Sequence, residues 1–115
     1  MPVRNTRVFT LLNAKVITGA QDGDSVDVSG YLEFILLIRV SSTGGTSPTL
    51  DLDIEVSDDN TTFHKEGDIT QITANGNEDA TKHTNLGKYV RLSNSALGGS
   101  STPTFTVTAI LIAKN

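Results

Sequence analysis

The chain has no cysteine and no tryptophan. The first absence excludes a disulfide framework and any thiolate chemistry. Basic residues are few: nine Lys and Arg stand against thirteen Asp and Glu, for a formal net charge of −4. Binding to nucleic acid needs a basic stripe that replaces phosphate counterions. Basic residues come close together only in short pairs, Arg4 with Arg7 among them, so no nucleic-acid partner is expected. Long apolar runs are missing too. The longest, "FILLI" at residues 34–38, is strand-length and far short of the ~18 residues of a membrane-spanning helix. The opening "MPVRNTRVFTLL" has no apolar stretch of signal-peptide length. No membrane partner is expected, and the chain reads as made in a cytoplasm or assembled there into something larger. At 115 residues it has the size of one domain: residues 7–115 as the folded unit, with residues 1–6 as a flexible arm.

Helical spacing is nearly absent, and alternation with period two replaces it. In "PTFTVTAILIA", residues 103–113, Phe105, Val107, Ala109, Leu111 and Ala113 share one face while Thr104, Thr106 and Thr108 take the other. In "YLEFILLIRVS", residues 31–41, Leu32, Phe34, Leu36, Ile38 and Val40 form one face. The opposite face there carries Ile35 and Leu37, and Ile110 and Ile112 do the same for the later strand. These four residues mark a second apolar surface, covered either by the chain's own layer or by another subunit. Residues 49–57, "TLDLDIEVS", alternate cleanly, with Asp51, Asp53 and Glu55 outward. Further strands are expected at residues 7–12, 15–18, 25–29, 62–65, 68–74 and 88–94, separated by turn signals such as "GAQDGD" and "NGNED". The pattern predicts an all-β fold: an antiparallel β-sandwich of jelly-roll or related Greek-key type, with roughly eight or nine short strands.

One device occurs twice. "IRVSSTGGTSPTLDLDI" begins at Ile38 and "VRLSNSALGGSSTPTFTVTAI" at Val90. Each is a strand, a double glycine, a small polar run, Pro-Thr and another strand. Glycine permits positive φ at little cost. Proline cannot donate to a ladder, so Pro48 and Pro103 are expected to open strands. The segments Gly44, Gly45, Thr46, Ser47 and Gly98, Gly99, Ser100, Ser101 then read as long hairpin loops. Such loops are either plain connections or, at one end of a sandwich, a surface for a partner.

Candidate chemistry is sparse. "SDDNTTF" at residues 57–63 suits a tight turn in which Asp59 and Asn60 bond nearby amides and Phe63 anchors to the core. A calcium site from Asp51, Asp53, Asp58 and Asp59 is the sharper alternative, without the spacing of a calcium loop. His64 and His83 have no partner at zinc spacing. There is no G-x-S-x-G elbow, no phosphate loop and no G-x-G-x-x-G. Neither enzyme activity, nor a cofactor, nor a metal is expected. Tyr31 and Tyr89 are the rings on which a sugar could stack.

The marks V-D-V-S-G-Y, T-S-P-T-L, S-D-D-N-T-T-F and the closing P-T-F-T-V-T with terminal A-K, over residues 24–115, resemble small β-sandwich structural proteins of tailed-bacteriophage virions. That resemblance implies a capsid decoration, or cement, protein that sits on the head surface. It further implies a homotrimer clamping the major capsid protein. Arg4, Arg7 and the two glycine segments would be the capsid contacts; Ile35, Leu37, Ile110 and Ile112 would join subunits. The alternative is a tail-associated or other virion module that recognises a carbohydrate receptor.

Overall fold

The computed structural model describes residues 6–19, 21–79, 82–84 and 87–115. Residues 1–5 of the expected arm, Arg4 among them, lie outside the described residues. Among the described residues there is no helix. The strands are β1 (Thr6–Ile17), β2 (Gln21–Asp22), β3 (Val26–Asp27), β4 (Glu33–Ser57), β5 (His64–Asp68), β6 (Gly76–Asp79), β7 (Lys82–His83) and β8 (Tyr89–Lys114). They form one antiparallel sheet that curls into a nearly closed, barrel-like arrangement.

The strands are not uniformly short, because β4 and β8 have 25 and 26 residues. They pair with each other from Glu33↔Lys114 to Ser57↔Tyr89. The other strands line this central ribbon. β1, β2 and β3 follow β8 from Lys114 back to Tyr89, while β5, β6 and β7 follow β4. The expected strands at residues 7–12 and 15–18 are one strand with bulges after Thr10 and Leu12. Residues 69–75 are not a strand; only Ile72 bridges to Leu50. The "NGNED" stretch, read as a turn, instead contributes β6.

A flat ladder of 25 residues would run about 80 Å at ~3.3 Å per residue. The longest dimension of the molecule is 54 Å, so the ribbon turns back on itself. Both of its arms feed one core. Phe34, Leu36, Ile38 and Val40 meet Phe105, Val107, Ala109 and Leu111 in the first arm, and Leu50, Leu52, Ile54, Val90 and Leu92 come from the second. Inward residues face inward residues across the ladder (Phe34↔Ala113, Ile38↔Ala109, Ile54↔Leu92). This register is what period-two burial demands, since a one-residue slip would put every apolar side chain on the wrong face.

Candidate functional site

The two glycine-proline segments lie opposite each other at the turn of this ribbon. Gly44 pairs with Thr104, Thr46 with Ser100 and Thr49 with Gly98. The repeat is therefore reciprocal: each double glycine packs on the Pro-Thr of the other copy. A Cβ at Gly44 would come within 2.6 Å of Thr104 Oγ1, and one at Gly98 within 2.5 Å of Thr49 Oγ1. A Cβ at Gly45 would meet the Pro103 Cα at 2.8 Å, and one at Gly99 the Pro48 Cα at 2.9 Å. Gly45 and Gly99 have φ of +89° and +115°; Ser47, Ser101 and Thr102 also take positive φ. These angles, with register shifts on both sides of Thr46, let two paired strands bend sharply together.

The expectation of two separate hairpin loops is thus corrected. Pro48 and Pro103 lie inside continuous strands and do not open them. They are tolerated because no described strand lies on the outer side of either segment, so the missing N–H costs no ladder bond.

Chain geometry makes this segment project. β1 leaves β8 at Ile17↔Phe105 and β2 rejoins it at Gln21↔Asn94. Four steps of chain cover at most about 14 Å, whereas the eleven steps of β8 between the same points reach about 37 Å when extended. On the far side, Ile72 bridges Leu50 and Gly76 pairs with Val40. The flanking chains cut the corner on both sides, so the central pair must bulge outward by roughly 10 Å. Gly45, Thr46, Ser47, Gly99, Ser100, Ser101 and Thr102 are accordingly exposed.

The remaining sequence candidates fall elsewhere. Arg7 is in β1 and not in an arm; its guanidinium sits 4.8 Å from the Phe9 ring centroid. Ile35, Leu37, Ile110 and Ile112 do assemble on the outer face of the first arm, in the pairs Ile35↔Ile112 and Leu37↔Ile110. Tyr31 packs edge-on against Phe9 at the core margin, so its face is not laid out as an open sugar platform. His83 stacks on buried Phe34, and His64 is exposed on β5.

Asp59 closes its turn as expected. Its Oδ1 accepts from the amides of Thr61 and Thr62, each at 2.9 Å, and from the Ser57 hydroxyl at 3.0 Å. The Thr62 and Thr61 amides and the Ser57 hydroxyl hold its carboxyl below the ordinary value. Asn60 does not share that task; its side chain accepts from Ser25. Phe63 is not a core anchor either. The Arg91 guanidinium covers its ring at 3.8 Å while donating to Glu55 at 2.8 Å and approaching Asp22 at 3.5 Å. Sequence pattern gave no sign of this cluster, because its members come from four separate strands and turns.

The acidic residues do not gather into a calcium site. Among the described residues no group of three or more His, Cys, Asp or Glu could hold a metal. Asp51 and Asp53 line a shallow groove of about 300 Å³ with Lys65 and Asp68. Asp53 and Asp68 stand directly across the β4–β5 ladder. Burial, then the Asp68 carboxyl, raises the Asp53 pKa, while Lys65, 2.7 Å from Asp68, lowers that of Asp68.

No protein-family model matches the sequence, and no curated protein matches it significantly. One solved structure is similar in fold: the SPBc2 prophage-derived protein YomS, at 14 % identity and a TM-score of 0.58, over 100 % of this chain and 97 % of that one.

Proposed function

We propose that this chain is a bacteriophage structural protein that decorates the capsid surface and stabilises the head without catalysis. The observation that carries the reading is the projecting ribbon. Two exposed glycine-rich segments are braced against each other by reciprocal close contacts, which gives a shaped element that reaches beyond the barrel. Rigid loops on a β scaffold are the usual place for partner contacts, and a preformed one binds with less ordering cost. The tip is hydroxyl-rich and uncharged, suited to hydrogen bonds with a capsid surface. Each bound copy would bury area across a seam between capsid subunits and oppose its opening.

Two further points support the reading. The strand pairing places β1, β8, β4 and β6 with β7 in one set, and β2 with β3, β8, β4 and β5 in the other. We take this as a jelly roll whose two layers share the long strands. The similar structure is prophage-derived, which accords with a phage origin. The resemblance also implies a trimer. Adding the purified protein to capsids that lack it tests the reading. Saturable binding to the head surface, seen by electron microscopy, with heads that survive a higher temperature, is expected. Binding only to tails, or to a glycan with no head binding, would overturn it.

A further inference from the structure

The outer face of the first arm is apolar and, among the described residues, partly exposed. Val8, Ile112 and Ile35 form one row across β1, β8 and β4, and Thr10, Ile110 and Leu37 form the next. Val8 is 60 % and Leu37 41 % exposed. Charge brackets these rows. Glu33 lies one row beyond Ile35, opposite Lys114; exposed Arg39 lies one row beyond Leu37. An apolar centre with a charged rim is the anatomy of a protein interface.

We propose that this face is a two-fold contact between two copies of the chain. Charge placement selects the partner and the axis. The outer face of the second arm carries Asp22, Asp53, Glu55 and Asp68 against Lys65 and Arg91. Two copies of an acidic chain repel each other there and can approach through the first arm. Stacking two first-arm faces with strands antiparallel, about an axis across the strands, sets β4 on β4 of the second copy. Glu33 then faces Arg39 of the second copy, Ile35 faces Leu37, and Ile112 faces Ile110. Strands stacked parallel with β4 on β4 would set Glu33 on Glu33 and Arg39 on Arg39; with β4 on β8 they would set Glu33 on Lys114 but leave Arg39 on Thr108. Only the antiparallel two-fold gives both Glu33 and Arg39 an opposite charge on the second copy while it buries the apolar rows.

The contact is small. Four strands at ~4.8 Å and about seven overlapping residues of each, at ~3.3 Å, give roughly 440 Å² of sheet face, about half of the ~800 Å² per partner of a standard interface, as suits a weak, reversible dimer. The contact stands apart from the virion reading, and it puts a two-fold where the resemblance implies a trimer.

The test is the mass of the full chain by analytical ultracentrifugation from about 1 to about 200 µM. A reversible monomer–dimer equilibrium is expected. Glu33→Arg and Arg39→Glu should each weaken the dimer at least ~tenfold, and the double substitution should restore it to within about threefold, since the charges are then exchanged across the axis. Leu37→Asp and, independently, Val8→Lys should give monomers with an unchanged circular-dichroism spectrum. A wild-type monomer at ~200 µM, a trimer, or a double variant as weak as the singles would overturn the two-fold contact. Capsid binding by a monomeric variant would leave the virion reading standing.

Discussion

Gly98 lies directly across the ladder from Thr49, and a Cβ there would come within 2.5 Å of the Thr49 hydroxyl oxygen. Gly44 stands in the same relation to Thr104. Neither glycine has the positive φ of its neighbours Gly45 and Gly99. Space is therefore the constraint at Gly44 and Gly98, while backbone conformation adds to it at Gly45 and Gly99.

That distinction predicts which substitutions can be rescued. Gly44→Ala should cost about 1–3 kcal/mol through overpacking. Thr104→Ala removes the one close atom, and the next contact, at 3.9 Å, is ordinary. The pair Gly44→Ala with Thr104→Ala should recover most of the loss in urea unfolding. Gly45→Ala should not be recovered by any side-chain change, because it meets the backbone of Pro103 and Ser100 and needs φ of +89°.

The Ser57–Asp59 turn should respond to acid. The folded Asp59 carboxyl titrates below its ordinary value, so the folded state gives up this proton more readily than the unfolded chain. Its contribution is fully present above the unfolded pKa of about 3.9 and is lost as pH falls through the lowered folded value. Asp59→Asn keeps an acceptor oxygen without the charge. The wild type should lose stability relative to Asp59→Asn as pH falls from about 5 to about 3; parallel curves would show that the charge is not what holds the turn. Ser57→Ala, at a buried position whose hydroxyl accepts from the Asp59 and Asn60 amides, should cost about 1 kcal/mol.

Alternation in the sequence identified the inward residues of β4 and β8 well, because burial on one face of a strand imposes period two. It also placed Ile35, Leu37, Ile110 and Ile112 on one outer face. What could not be read was the mating of the two glycine-proline copies. Gly-Gly and Pro ordinarily end strands, and here each double glycine is matched to the Pro-Thr of the other copy across the ladder. The signal was present as the repeat itself, yet a repeat does not say whether its copies are neighbours. The short β2, β3, β6 and β7 were equally illegible. Their pairing is set by the central ribbon they follow, with little pattern of their own.

Arg91 should be poorly replaced by lysine. Its Nε donates to Glu55 and its plane lies over Phe63, and an ammonium reproduces neither the fork nor the stack. Arg91→Lys is expected to cost about 1 kcal/mol, a loss that persists in salt because flat stacking is less screened than an exposed ion pair. A loss that disappears at high salt would assign the effect to the ion pairs alone.

The projecting ribbon gives the prediction that bears most directly on function. Thr46 and Ser100 pair across its tip, and both are exposed. Neither has positive φ, so larger side chains fit without backbone strain, and neither is in the core. Thr46→Glu with Ser100→Glu should therefore cost no more than about 1 kcal/mol of stability, the repulsion of like charges directly across a ladder. If the tip touches the capsid, two buried carboxylates would have to be desolvated there without partners. Cosedimentation with heads should fall at least ~tenfold. The same substitutions on the free protein should leave its self-association unchanged, because the apolar face of Val8, Ile35 and Leu37 lies on the first arm and not at the tip. Undiminished head binding by a folded double variant would remove the ribbon as the contact and return the search to the barrel's other surfaces.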